Sequence, residues 1–282
     1  MLSALGSALA VAMLLAAAPI ASAADMIGKC ELTGEKGSIP LTPAKPGQLT
    51  VEVSLPAPGW WNGDTVDSIA DGYEYCMAAN IAHRAGFDKL EVVNVAWDAL
   101  VAGQTADFDL ALSEISITDE RKKVVDFSIS YFSSDIGVLV QKGTKVDAAS
   151  IKDMRIGVQQ ATTGADFVDQ KLKPNKPANV YPDQPSMFTA LAAGQIDVAM
   201  TDTSIILAQA GASNGAQEAV GQYATNETYG ALYPKGSKSG ATIDKIIQAL
   251  IDDGTLKMLA AKYLAAAWGA DPTSVPYFKP GS

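Results

Sequence analysis

Leu49 to Leu55 alternates apolar and polar positions, with Leu49, Val51, Val53 and Leu55 on one face, which predicts a strand. A loop follows, Pro56-Ala57-Pro58-Gly59-Trp60-Trp61-Asn62-Gly63-Asp64, with Pro and Gly as punctuation. From Gly72 to Gly86 the period lengthens. Tyr73, Met77 and Ile81 form an i, i+4 stripe, and Gly86 closes the predicted helix. Leu90 to Val95 reads as a strand, Trp97 follows at once, and Asp98 to Ala102 is helical in pattern. Phe108 to Leu112 is another apolar, strand-like run. Strands alternating with helices argue for a parallel α/β sheet.

After Phe108–Leu112 the chain runs Ser-Glu-Ile-Ser-Ile-Thr-Asp-Glu-Arg-Lys-Lys-Val-Val-Asp-Phe, residues 113–127. Ile115 and Ile117 alternate as in an extended segment, and Thr118 is a good N-cap for a short helix with Asp119 and Glu120 in its first turn. Arg121 therefore lies near a strand end, where open α/β sheets bind ligands, and its planar fork suits a carboxylate. On residue types alone, Glu120, Arg121, Lys122 and Lys123 also fit a solvated helical face.

The α/β pattern then repeats. Arg155 to Val158 is a predicted strand, and a helix starts within Gln159-Gln160-Ala161-Thr162-Thr163-Gly164. Free N–H groups at that start suit an anion; plain N-capping by Thr162 or Thr163 explains the same residues. The segment lacks the Gly-Lys-Ser/Thr end of a phosphate loop. Ser186 to Ala193 reads as a helix with Gly194 past its end, Ile196 to Met200 as a strand, and Thr201-Asp202-Thr203 sits at that strand's carboxyl end. Asp202 also fits an N-cap for a helix from Ser204. Two helices close the pattern, Ile243–Asp252 and Leu256–Ala265, followed by a Pro-rich tail.

Composition adds compartment. Ala8 to Ala18 is an apolar run too short to span a bilayer, and Ala21-Ser22-Ala23 is a small-residue cleavage pattern, so residues 1–23 are expected to be a secretory signal. The n-region carries no Lys or Arg. Residues 24–46 read as an N-terminal extension. The formal net charge of -10, from 31 acidic and 21 basic residues, argues against a nucleic-acid partner. In an oxidising compartment the two cysteines, Cys30 and Cys76, suggest one bridge; two separate thiols, Cys76 buried in a helix, is the alternative. The one histidine, His83, and the lack of a Cys-x-x-Cys pair give no support for a metal site or another cofactor, and a lone helical histidine reads as partly exposed surface.

The segment 113–128 resembles the signature of extracellular solute-binding proteins that serve polar-amino-acid ABC transporters (family 3). Phe127–Val140, the Gly-x-x-Asp-x-x-x-x-Asp spacing from Gly194 to Asp202, and Thr228-Tyr-Gly-Ala-Leu-Tyr233 resemble other segments of that family. The resemblance spans residues 47–265. It implies a two-lobed periplasmic binding protein type II fold, each lobe a mainly parallel sheet flanked by helices, joined by two hinge strands near 131–136 and 225–230. Lobe 1 would comprise 47–133 plus 230–282, and lobe 2 would comprise 134–229.

By the same resemblance, Arg121 would hold a ligand α-carboxylate and Asp202 its α-ammonium. Ser116, Thr162 and Thr163 would supply hydroxyls, and Trp97 an aromatic wall of the pocket. Trp60 or Trp61 is expected to face the ligand, with core packing as the alternative for each. Glu114 departs from the family, which has a small residue there. Beside aromatic residues it would favour a cationic side chain. The implied protein is a periplasmic, monomeric amino-acid carrier that delivers its ligand to a membrane permease. The same fold binding an opine, an amine or a carboxylic acid is an alternative. A dehydratase-like enzyme is another, although no Ser-His-Asp or Cys-His set is present to perform catalysis.

Overall fold

The computed structural model describes residues 26–63 and 65–279, so the expected signal segment 1–23 lies outside the described residues. In chain order the strands are β1 Met26–Ile27, β2 Cys30–Glu31, β3 Leu49–Val53, β4 Leu90–Asn94, β5 Leu110–Ala111, β6 Val125–Gln141, β7 Ile156–Gln159, β8 Asn179–Tyr181, β9 Val198–Asp202 and β10 Gln217–Pro234. The helices are α1 Tyr73–Ala85, α2 Trp97–Val101, α3 Thr163–Phe167, α4 Gln184–Ala192, α5 Thr203–Ala212, α6 Gly240–Asp252, α7 Thr255–Leu259 and α8 Ala265–Trp268.

β3 to β10 form a continuous sheet in the order β4-β3-β5-β10-β6-β9-β7-β8. β3 lies parallel to β4 and β5 at one end, and β7 lies parallel to β8 and β9 at the other. Parallel strands carry helices on both faces, so every residue of β3 is buried rather than alternate ones. The long antiparallel ribbon of β6 and β10 joins the two ends. Its register breaks between Tyr223 and Glu227, opposite Ile136 and Ser134. There Asp135 Oδ1 accepts the N–H groups of Thr225 and Asn226 at 2.8 and 3.0 Å.

The ribbon divides the hydrophobic core. Tyr131, before the break, packs with β3, α1 and α6. Ile136, Val138 and Val140, after it, pack with β7 and β9. The result is two α/β lobes linked by two strands.

Residues 26–46 cover the outer face of α1. Gly37 and Ile39 donate backbone N–H groups to the carbonyls of His83 and Arg84. Cys30 is disulfide-bonded to Cys76 across 46 residues, which pins this cover to the helix and adds about 4 kcal/mol at most by loop-entropy bookkeeping. All thirteen residues of α1 are consequently buried. His83, expected at the surface, is buried beneath the extension with Nε2 3.2 Å from the Gly34 carbonyl.

The tail departs from expectation. Residues after Trp268 were expected on the first lobe, but Phe278, half-buried, packs against the core of the second. Gly221 in β10 leaves the slot: a Cβ there would meet the Phe278 ring at 2.3 Å. Gln222 anchors the tail on both backbone sides, donating to the Pro276 carbonyl and accepting from Phe278 N, each at 2.8 Å.

Candidate functional site

The segment after β5 turns sharply. Glu114 adopts φ 48, a left-handed conformation uncommon for a residue with a Cβ. Arg121 follows in a 3-10 turn rather than a longer helix, and Thr118 Oγ1 accepts its backbone N–H at 3.2 Å. The Arg121 side chain is only 9 % exposed. Its guanidinium donates to the Ser116 carbonyl at 2.7 Å and, across the cleft, to the Ala161 carbonyl at 3.0 Å. It also lies 5.1 Å from the centroid of the Trp97 ring, a cation–π distance. Burial lowers the Arg121 pKa, while Asp202, Glu227 and Asp166 favour its charge. Among the described residues no carboxylate reaches it within 4.0 Å.

Across the cleft, Thr162 caps α3. Its hydroxyl accepts from Ala165 N at 3.1 Å and donates to the Gln159 carbonyl at 2.7 Å, so its proton is committed locally. The Thr163 hydroxyl points the other way and donates to Glu227 Oε2 at 2.7 Å. Ser116 donates to the same oxygen at 2.6 Å. The Trp97 indole N–H donates to the Ala161 carbonyl at 3.1 Å, closing this side.

The opposite corner is acidic. Asp202 ends β9, is 5 % exposed, and accepts from the Tyr229 hydroxyl. Burial and the Glu227 charge push its pKa up to about 7, against the pull of Tyr229 and Arg121. Glu114 forms no side-chain hydrogen bond among the described residues, and its Oε1 is buried without a partner. Burial first, then the nearby Glu74 and Asp202 charges, push the Glu114 carboxyl well above the usual carboxylate range. Glu74 lies fully buried on α1 beneath this corner. It accepts from Trp61 Nε1 at 2.9 Å, from Glu114 N at 3.0 Å and from the Tyr131 hydroxyl. Burial raises its pKa to about 7 despite those donors.

Arg121, Glu114, Ser116, Trp97, Thr162, Thr163 and Asp202 all line one cleft of about 500 Å³, open solvent included. Trp60 does not. It is 1 % exposed and packs edge-on against Tyr73 and Phe132, with centroids 5.3 and 5.0 Å away. Trp61 is equally buried, with its indole on Glu74. Both indoles turn inward because the loop folds back onto α1. The Trp60 carbonyl accepts from Glu74 N and Tyr75 N at 3.0 and 3.2 Å. Gly72, at φ 128, permits that approach, since a Cβ would sit 2.3 Å from the Trp60 carbonyl oxygen.

Glu74, Tyr131, Glu227 and Tyr229 were not anticipated. Glu74 is an acid inside an otherwise apolar helix stripe, a pattern that marks a buried functional group only once the helix is known to be covered on all sides.

The family model for bacterial extracellular solute-binding proteins, family 3, matches residues 64–266. The L-cystine-binding protein TcyJ of Escherichia coli (strain K12) is 28 % identical over 212 residues, covering 73 % of this chain and 77 % of that protein. Among solved structures, a Streptococcus pneumoniae amino acid ABC transporter substrate-binding protein bound to L-arginine is 29 % identical, with TM-score 0.69, covering 79 % of this chain and 94 % of the other. The ancestral amino acid-binding protein AncCDT-1, a precursor of cyclohexadienyl dehydratase, is 25 % identical with TM-score 0.67, covering 77 % and 95 %.

Proposed function

The chain belongs to the bacterial extracellular solute-binding proteins, family 3, and on that premise we propose that it captures an α-amino acid with a cationic side chain between its lobes and presents it to a membrane permease. One observation carries this reading: Arg121 and Asp202, of opposite charge and both buried, face one cleft from different lobes. An α-amino acid bears both complementary charges on one carbon. Arg121 would hold the carboxylate through charge-assisted hydrogen bonds, with Ser116 and Thr163 completing its lone pairs. Asp202, positioned by Tyr229, would take the ammonium. Closure would be a hinge motion in the β6–β10 ribbon, driven by contacts made only when both lobes meet the ligand.

Glu114 supports the cationic side chain. Its unpaired carboxyl sits beside two other acids, and a second positive charge would relieve that repulsion. The relative bound to L-arginine points the same way. Trp97 would act through Arg121, which lies against its ring. Thr162 would shape the turn rather than donate to ligand.

Lobe 1 would comprise 47–133 and 230–268, and lobe 2 would comprise 134–229 with the tail laid on it. The protein would work as a monomer outside the cytoplasm, as a carrier rather than an enzyme. Among the described residues no helix is long and apolar enough to cross a membrane.

Thermal shift of unfolded-and-refolded protein tests this. Ligand at 100 times its dissociation constant stabilises the fold by about 2.7 kcal/mol. L-arginine or L-lysine is expected to shift the melting temperature, and Arg121→Ala to abolish the shift. A shift only with solutes lacking an ammonium would overturn the amino-acid assignment and leave the fold standing.

A further inference from the structure

Glu227 stands on β10 just past its register break, where the ribbon passes between the lobes. Its place beside Ser116 is fixed by backbone pairing. Ser116 bridges Tyr229, and Ile117 N donates to the Thr228 carbonyl at 2.8 Å. From there one carboxylate oxygen, Oε2, takes the hydroxyl protons of Ser116 and Thr163 at 2.6 and 2.7 Å, one from each lobe. Its charge also favours the protonated form of Arg121.

A hydroxyl has one proton to donate. Ser116 and Thr163 are both assigned above to the ligand's carboxylate, and both of their protons are directed at Glu227. An incoming carboxylate can receive them only if Glu227 releases them. We propose that Glu227 is an internal stand-in for the ligand carboxylate: it joins the lobes through Ser116 and Thr163, and the ligand must displace it to bind. The carboxylate site then has a resident competitor. It lowers affinity for carboxylate ligands in particular, and it is ready to retake the hydroxyls when the ligand leaves. This inference rests on the amino-acid reading above.

A simple latch that the ligand leaves in place would use the same contacts. It would act equally on ligands with and without a carboxylate, so the ratio of two affinities separates the two ideas. Titration calorimetry of refolded wild type, Glu227→Gln and Glu227→Ala with L-arginine and with L-argininamide measures that ratio. Glu227→Ala is expected to tighten L-arginine about tenfold relative to L-argininamide, because two charge-assisted hydrogen bonds no longer have to be broken. Glu227→Gln, whose amide oxygen still accepts but carries no charge, should fall between, and it serves alone if the alanine variant does not fold. An unchanged ratio, or one shifted toward the amide, overturns the stand-in while leaving the amino-acid reading intact. Failure of both ligands to bind any of the three proteins overturns the reading on which it rests.

Discussion

Two corners of the cleft are buried to the same degree and have opposite electrostatics. At one, Arg121 carries its charge against two carbonyls and an aromatic ring, with the charges of Asp202, Glu227 and Asp166 opposing only part of its desolvation. At the other, Glu74, Glu114 and Asp202 share a space with no basic side chain bonded to them among the described residues, and burial pushes all three upward. Arginine stays protonated under burial, whereas a carboxyl answers burial by holding a proton. The cationic corner therefore keeps its charge at any ordinary pH and would suit an anion. The acidic corner would suit a cation, and its charge is set by pH and by what enters it.

The largest test removes the fixed charge. Arg121→Ala should weaken amino-acid binding about 30-fold or more, since truncating one partner of a buried charged hydrogen-bonded pair costs about 2–5 kcal/mol. Calorimetry on the refolded variant reads it, and retained affinity would mean the carboxylate lies elsewhere. Asp202→Asn keeps shape and removes the other charge, so it should weaken binding by tens of fold, roughly.

The third test sharpens the contrast through pH. Asp202 has a folded pKa of about 7, so an entering ammonium meets a neutral carboxyl below that value and must displace a proton. Affinity should rise about tenfold or more from pH 6 to pH 8 in wild type, and less in Asp202→Asn, where Glu114 is the acid left facing the ligand. Protons should be released on binding below pH 7, which calorimetry in two buffers of different ionisation enthalpy detects.

For stability the sign reverses. Folded pKa values of Asp202 and Glu74 lie above the ordinary carboxylate value, so between about pH 4 and 7 the folded state binds more protons than the unfolded one. Their contribution to stability thus falls as pH rises through that window, and the ligand-free melting temperature should fall less steeply in Asp202→Asn than in wild type.

The smallest effect separates two tryptophans. Trp97→Ala should weaken binding several-fold, roughly the cation–π contribution to holding Arg121, with little change in melting temperature. Trp60→Ala should do the opposite, losing about 3–5 kcal/mol of stability as a core truncation. If Trp60→Ala alone changes ligand preference, the loop after β3 reaches the ligand after all.

Those tryptophans show how far local pattern carries. Both follow a predicted strand, and both read as aromatics on a loop. Trp97 lines the cleft because it begins α2, which faces the other lobe. Trp60 is core because the Trp60 carbonyl is bonded to the start of α1. The Arg121 segment was legible since its capping, charge order and strand-end position lie within one stretch of chain. Thr162 was legible only as a choice between capping and ligand contact, and the geometry commits its proton to the cap. The tail's place on the second lobe depended on the slot at Gly221, which no period in the tail records.

By itself the sequence determined the alternation of strands and helices and the presence of Arg121 and Asp202 at strand ends, and it suggested the bridge between Cys30 and Cys76. These follow from hydrophobic period, turn chemistry, a count of two thiols and a recognisable segment, all readable along the chain. Only the tertiary structure decided that Glu74, Glu114 and Asp202 gather in one corner, and that Glu227 takes the hydroxyls of Ser116 and Thr163. The physical reason is that burial and Coulomb interaction depend on distance through space. A carboxylate's sequence neighbours do not reveal whether water, a hydroxyl or another acid lies beside it once the chain has folded.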